Sequence, residues 1–202
     1  MLAQKKLVDR PATFQDLAAV PSGLRAEIID GVLYTMPRPS PEHQNAIAGA
    51  GEALRSPMQR GKGGPGGWWI LPEPGIRITQ SPEFSPDLAG WKKSRVPMLP
   101  RIINVVPDWI CEVLSPGNKG YDQIIKRAFY ARIGVGWLWY VDPEERTLQV
   151  SRLHEGQWLE LGIWGEDQTV RAEPFEEVEV RLEEWWLPKV PETPEESGEG
   201  HL

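Results

Sequence analysis

Trp109-Ile-Cys-Glu-Val-Leu114, then Tyr121-Asp-Gln-Ile-Ile-Lys126 leading into Phe129-Tyr-Ala-Arg-Ile133, then Trp137-Leu-Trp-Tyr-Val141: the order of these three runs decides how the chain folds. The first is a β-like run closed by Ser115-Pro116. The second has helical spacing, with Ile124, Ile125, Ala128 and Phe129 predicted on one apolar face and Asp122, Lys126 and Tyr130 lining another at four-residue steps. The third is a nearly continuous apolar run, the pattern of a strand buried on both faces, and Asp142-Pro143 ends it.

Upstream, Arg25-Ala-Glu-Ile-Ile29 and Val32-Leu-Tyr-Thr-Met36 flank Asp30-Gly31, which predicts a tight β-hairpin. Thr13 is a candidate N-cap for a short helix through Phe14 and Leu17. Ser40-Pro41 is a cap and a first-turn proline ahead of Ile47, Ala50, Leu54 and Met58, which predicts a helix to about Arg60, although Gly49 and Gly51 weaken it. Residues 61–67 read as a flexible loop, and β-like runs follow at 68–71, 75–79 and 86–91. Downstream, strands are expected around 148–150, 158–161 and 178–182. Strands mixed with three helices, without regular βαβ alternation, predict the α+β class. Residues 1–187 form one expected domain; residues 188–202, rich in Pro, Glu, Ser and Gly, read as an acidic, disordered tail.

The 202 residues carry a formal charge of −7 with one cysteine. A single cysteine excludes an internal disulfide framework and a cysteine-rich zinc site. No apolar run approaches the roughly 20 residues of a membrane helix, and Lys5, Lys6, Asp9 and Arg10 break up the N-terminus, so a cytoplasmic, membrane-free protein is expected. The charge is uneven. Residues 166–202 hold twelve Asp/Glu against three Lys/Arg, a net of −9, which leaves the first 165 residues at +2; residues 55–132 alone carry +6. The overall acidity is therefore no argument against an anionic partner.

Gly61-Lys-Gly-Gly-Pro-Gly66 matches a dinucleotide-binding fingerprint in letters only. It follows a helix rather than a strand and contains Pro65, so no nucleotide cofactor is expected. The three histidines lie far apart with no H-x-x-x-H pair, and Cys111 beside Ile110 reads as a buried thiol. The ten tryptophans read as core-building area rather than a base-stacking platform. Acidic residues inside β runs stand out, because a buried carboxylate must be paired, hydrogen-bonded or metal-bound. Asp87 and Glu112, 25 residues apart, suit a hard divalent cation such as Mg²⁺ if two strands bring them to one sheet end. Salt bridges or a helix cap account for them equally well. Lys126, on the helix after Glu112, would hold a water or offset charge on a phosphate; a surface pair with Asp122 is the plainer alternative.

Six ordered blocks closely resemble the Uma-two family of putative restriction endonucleases, within the PD-(D/E)xK nuclease superfamily. They are Arg25-Ala-Glu-Ile-Ile-Asp-Gly-Val-Leu-Tyr34, Pro39-Ser-Pro-Glu-His-Gln44, Ser85-Pro-Asp-Leu88, Pro107-Asp-Trp-Ile-Cys-Glu-Val-Leu-Ser-Pro116, Asp122 and Lys126 with Tyr130-Ala-Arg-Ile-Gly-Val135, and Trp139-Tyr-Val-Asp-Pro143. The resemblance spans about residues 13–187. It implies a restriction-endonuclease-like central mixed sheet flanked by helices, with a Mg²⁺-dependent phosphodiesterase site at one sheet end that hydrolyses DNA and accepts Mn²⁺ as a substitute. By position, Asp87 and Glu112 look like the two metal carboxylates, and Glu27 like a further acidic site residue. The superfamily's lysine, two positions after the second carboxylate, is Leu114 here, so Lys126 is the natural substitute. Gln44, Tyr130, Tyr140 and Asp142 also match; packing is expected for Tyr140, while Gln44, Tyr130 and Asp142 either line the site, with Gln44 and Tyr130 as the candidates, or only hold the helix and strand together. Arg77, Lys92, Lys93, Arg95 and Arg101 are candidate phosphate contacts, each equally readable as part of a solvated basic face. A homodimer is implied by the need to cut two strands. The alternative reading is an inactive member of the fold acting as a DNA-binding or protein-interaction module.

Overall fold

A computed structural model of the chain describes residues 4–6, 10–78 and 81–188. The predicted tail, beyond Pro188, and Thr79 at the end of one predicted strand lie outside the described residues. The elements in chain order are β1 (Gln4–Lys6), α1 (Phe14–Ala18), β2 (Leu24–Ile29), β3 (Val32–Pro37), α2 (Pro41–Leu54), β4 (Trp68–Pro72), β5 (Ile76–Ile78), β6 (Ser81–Phe84), β7 (Leu88–Lys92), β8 (Trp109–Val113), α3 (Arg127–Ile133), β9 (Trp137–Asp142), β10 (Thr147–His154), β11 (Gln157–Gly165), β12 (Thr169–Val170) and β13 (Val180–Arg181). Two π-helical turns, Arg55–Gln59 after α2 and Tyr121–Lys126 before α3, widen the helices they adjoin.

Local chemistry accounts for the boundaries. Asp30 and Gly31 take positive φ values of 52° and 74°, the conformation an Asp-Gly two-residue turn requires, and β2 pairs with β3 in the expected antiparallel hairpin. Ser40 caps α2 by accepting from the His43 amide at 3.4 Å, with Pro41 in the first turn. Gly49, which weakens the helix by propensity, is required by packing: a Cβ there would lie 2.8 Å from the Trp185 ring. Pro57 cannot donate a backbone hydrogen bond, so the turn after α2 widens and the Arg60 amide reaches back to the Arg55 carbonyl at 3.2 Å.

Six strands form the central mixed sheet in the order β11-β10-β9-β8-β7-β4. β8 and β9 are parallel, joined through the π-turn and α3, and every other neighbouring pair is antiparallel. Strand alternation sends Trp109, Cys111 and Val113 of β8 to one face, where Trp139, Val141, Leu148 and Val150 join Ala46, Ala50, Leu54 and Met58 from the α2 side. Ile110, Leu138 and Tyr140 face the other way, onto Phe129 and Tyr130 of α3. Cys111 is buried, and burial raises its thiol pKa well above the ordinary value, as expected of an inert core thiol.

Tryptophans build the first core. Phe175 contacts Trp109, Trp68 and Trp139 edge-on, with ring centroids 5.0, 4.9 and 5.6 Å away. The acidic C-terminal segment thus inserts an apolar anchor under the sheet, although the strand expected at 178–182 shortens to β13 followed by a 3₁₀ turn, Leu182–Trp185. Among the described residues, no helix is long and apolar enough to cross a membrane. Phe175→Ala is expected to destabilise the fold by about 3–5 kcal/mol; a urea-unfolding change below about 1 kcal/mol would mean that the C-terminal segment merely overlies a complete core.

Candidate active site

Three structural pieces meet at one end of the central sheet. β8 supplies Glu112, buried at 1% exposure, on the face toward α3. β7 begins beside it: extending the Leu88–Cys111 register by one step brings Asp87 level with Glu112. The β2–β3 hairpin supplies Arg25 and Glu27, and the π-turn supplies Asp122 and Lys126.

The Lys126 ammonium, 3% exposed, stands 2.8 Å from Glu112 Oε1, 3.2 Å from Glu27 Oε1 and 3.6 Å from Asp122 Oδ1. Tyr130 donates its hydroxyl to the same Glu112 oxygen, and the Tyr140 hydroxyl donates to the Asp122 carbonyl at 2.7 Å. The second Glu27 oxygen accepts from the Ser85 amide at 3.2 Å, two residues before Asp87. Asp87 Oδ2 accepts from the Val113 amide at 2.8 Å, and its Oδ1 lies 3.3 Å from Arg25. His43, in the first turn of α2, sets Nε2 3.1 Å from Asp87 Oδ2 and 3.0 Å from the Val113 carbonyl. Two acceptors at one nitrogen place the proton on Nε2, and burial lowers the His43 pKa, so the ring is a neutral donor. Its Nδ1 is buried without a hydrogen-bond partner.

Arg25, Glu27, His43, Asp87, Glu112, Asp122 and Lys126 all line a cleft of about 280 Å³. With the carboxylates ionised, Glu27, Asp87, Glu112 and Asp122 carry four negative charges against three positive charges, on Arg25, Lys126 and the exposed Arg38 at the rim of the same cleft. Burial and the neighbouring carboxylates, opposed by Lys126, raise the Glu112 pKa well above its ordinary range and push Asp122 up to about 7. Burial by itself would lower the Lys126 pKa, but Glu112, Glu27 and Asp122 together hold it well above 10.5. The lysine is therefore an ammonium, and the cleft keeps an excess of negative charge that protons or a cation must offset.

The donor set around that excess is oxygen, the choice of a hard cation. Among the described residues no three His, Cys, Asp or Glu side chains stand together as a ready cage. Mg²⁺ does not need one, since it is usually held by one or two carboxylates plus water and substrate phosphates. Asp87 and Glu112 on one cleft wall fit that requirement.

Four residues singled out in the sequence, Asp87, Glu112, Lys126 and Glu27, come together here, with Tyr130 behind Glu112. Gln44 does not join them: one residue along a helix is a turn of about 100°, so His43 points in while Gln44 is exposed on another groove. Asp142 accepts from the Glu144 and Glu145 amides and pairs with Lys119, holding the turn after β9. The predicted apolar face of 121–133 is rotated: Ile124 and Ile125 are 68% and 37% exposed, while Asp122, Lys126, Phe129 and Tyr130 are buried. The wide π-turn shifts the helical phase, and the cleft satisfies the charges that turn inward. His43 and Arg25 were missed as site residues, although both stand inside the blocks of family resemblance.

The candidate phosphate contacts lie elsewhere. Lys92 ends β7, about 17 Å of strand from Asp87 at roughly 3.3 Å per residue, and its ammonium sits 4.5 Å from the Trp137 ring centroid. Lys93 donates to the Gln59 carbonyl at 2.8 Å, Arg95 pairs with Asp108 at 2.9 Å, and Arg77 pairs with Glu83 at 2.8 Å. These cations tie loops to the body; Arg101 is exposed away from the cleft lining.

The family model described as "Putative restriction endonuclease", Uma2, matches residues 11–183. None of the curated proteins matches the chain. Among solved structures, the crystal structure of a putative nuclease belonging to DUF820 from Anabaena variabilis ATCC 29413 superposes with a TM-score of 0.68 at 20% identity, over 87% of this chain and 97% of that one, a likeness of fold.

Asp122 provides a direct check on the cleft's electrostatics. Its folded pKa of about 7 lies above its ordinary 3.8, so the stability linked to its proton is full below about pH 4 and is lost as pH rises toward 7. In urea unfolding with chelator present, Asp122→Asn is expected to gain stability relative to the native protein across that window. Two pH profiles that stay parallel would contradict the assignment.

Proposed function

The chain belongs to the Uma2 family of putative restriction endonucleases, and from that premise we propose that it is a Mg²⁺-dependent endonuclease hydrolysing DNA phosphodiester bonds at the Asp87–Glu112–Lys126 cleft. The observation that carries the reading is the unbalanced charge: four buried carboxylates outnumber the cations of the cleft lining, Arg25, Lys126 and the exposed Arg38, a surplus that a divalent ion offsets. Asp87 and Glu112 hold the ion. When bound, Mg²⁺ polarises the scissile phosphate and lowers the pKa of the attacking water.

The remaining roles follow from this chain's own groups. Lys126, kept protonated by its carboxylates, is no general base; it orients the attacking water by donating to it and offsets charge growing on the phosphoryl oxygens. Glu27 and Asp122 position the ammonium, and Tyr130 fixes the Glu112 rotamer. Neutral His43 donates to Asp87 and to the Val113 carbonyl, and so holds the Asp87 carboxylate toward the cleft. In this reading the PD-(D/E)xK lysine comes from the π-turn ahead of α3 rather than from the end of β8, which Leu114 follows directly.

Cutting both strands of a duplex takes two clefts, which a two-fold homodimer supplies. β11 supports that assembly. It is an outer strand of the sheet, and Trp158-Leu-Glu-Leu-Gly-Ile-Trp164 reads nearly alike in both directions about Leu161. Antiparallel pairing of two copies at Leu161 would set exposed Leu159 of one copy against exposed Ile163 of the other and Glu160 against Gly162, free of like-charge repulsion. Light scattering is expected to give a dimer that Ile163→Lys dissociates; a monomeric native protein, or an intact dimer in the variant, would remove β11 as the interface.

Incubated with supercoiled plasmid DNA and Mg²⁺ or Mn²⁺, the protein is expected to nick and linearise it, and chelation to stop it. Asp87→Asn, Glu112→Gln and Lys126→Met are each expected to lose at least about 100-fold in rate. Cleavage persisting equally in all three would refute the roles assigned here; DNA binding without cleavage by the native protein would favour the non-catalytic module.

A further inference from the structure

A second groove, of about 570 Å³, runs beside the catalytic cleft. One wall is a stripe of α2, from Gln44 through Gly51 to Arg55; the other is the strand end formed by the Pro72–Leu88 pair of β4 and β7. Gly51 faces Leu88 across the groove, where a Cβ would be at ordinary contact distance, 3.8 Å from the Leu88 side chain. Leu88 follows Asp87, and Gln44 follows His43, so the groove starts where the cleft ends. It closes on the π-turn with Arg55 and Arg60.

Many cations of the fold are bound in ion pairs, and those of this groove are not, a state they share with Arg38, Lys92, Lys93, Arg101, Arg127 and Arg146 among the described residues. Arg10, Arg25, Arg77, Arg95, Lys119, Arg132, Arg152, Arg171 and Arg181 all form ion pairs. Among the described residues, Arg55 and Arg60 make no ion pair, and the Arg55 Nε is buried without a hydrogen-bond partner. Lys62, whose amide bonds back to the Ser56 carbonyl at 3.0 Å, adds a third cation at the same end, exposed like Arg60. A guanidinium outside any ion pair suits phosphate, which accepts from its fork.

We propose that this groove is the track for the phosphodiester backbone of the DNA strand whose scissile phosphate enters the cleft, with Arg55 and Arg60 as its phosphate-binding residues. The inference rests on the nuclease reading above. From Gln44 to Arg55 the groove follows α2 for about 16 Å at 1.5 Å per residue, close to the axial rise of about five nucleotides of one strand at 3.4 Å each. The contacts are made to the backbone, so they position the substrate and carry no sequence preference.

The test is fluorescence anisotropy of a labelled 20-base-pair DNA duplex, with Ca²⁺ as the cation, across a salt series, together with plasmid cleavage in Mg²⁺. Arg55→Gln with Arg60→Gln is expected to weaken binding at least about tenfold at roughly 0.1 M salt and to lower the salt slope by about two. In cleavage, KM is expected to rise with kcat unchanged, the mark of a contact made equally before and during reaction. Arg60→Gln with Lys62→Gln, both exposed, repeats the test without touching the partly buried Arg55. Lys92→Gln with Arg95→Gln, at the other end of β7, is expected to bind within about twofold of the native protein. A native protein that binds the duplex while both groove variants bind it with equal affinity and salt slope overturns the groove and leaves the nuclease reading standing. A native protein that neither binds nor cuts overturns both.

Discussion

A lysine ammonium buried at the end of a sheet persists only where carboxylates surround it, and the geometry of this protein is arranged around that requirement. Lys126 meets Glu112 from β8, Glu27 from the hairpin and Asp122 from its own turn. Each partner comes from a different part of the fold, so this one charge fixes the hairpin, the central sheet and the crossover helix relative to one another. Glu27 in turn accepts from the Ser85 amide and thereby sets the approach to Asp87. Loss of Lys126 itself would leave the carboxylates around it uncompensated, which costs far more than the net worth of any one pair.

The same network is incomplete in charge. Arg25, Lys126 and the exposed Arg38 leave Glu27, Asp87, Glu112 and Asp122 in surplus, and burial first, with the neighbouring carboxylates adding to it, raises the pKa values of Glu112 and Asp122. A purely structural ion-pair network would tend toward balance, whereas a site for a divalent cation needs a surplus of this sign. Several of the fold's other cations are committed elsewhere: Arg77, Arg95 and Arg132 pair with Glu83, Asp108 and Asp30. The −9 of the C-terminal region is likewise kept from the cleft in its described part, where Phe175 anchors it beneath the opposite face of the sheet.

What could be read in the sequence was what local chemistry determines. Asp30-Gly31 announced its turn, Ser40-Pro41 its helix start, and Trp137 to Val141 a buried strand, because each depends on residues a few positions apart. Asp87 and Glu112 were legible because a carboxylate inside an apolar run is costly wherever the chain folds. The helix after β8 was legible as an element but not in phase: the π-turn at Tyr121–Lys126 turns Ile124 and Ile125 outward, and nothing in an apolar periodicity reports an extra residue in a turn. His43 was passed over for Gln44 since a single residue step decides which side chain faces inward. For the basic residues, a charge count cannot say which cations are already paired: Arg77 and Arg95 are, while among the described residues Arg55, Arg60, Lys92, Lys93 and Arg101 make no ion pair. Phe175, in an acidic stretch that looked peripheral, fills the core through contacts with Trp68, Trp109 and Trp139, all far from it in sequence.

The central claim is that the surplus negative charge at Asp87 and Glu112 is a site for a divalent cation, and calorimetric titration with Mn²⁺ tests it most directly. Saturable binding of about one ion per chain is expected, with a matching rise in melting temperature, and Asp87→Asn or Glu112→Gln should weaken it by at least about tenfold. Absence of saturable binding, or equal affinity in the native protein and both variants, would contradict the account.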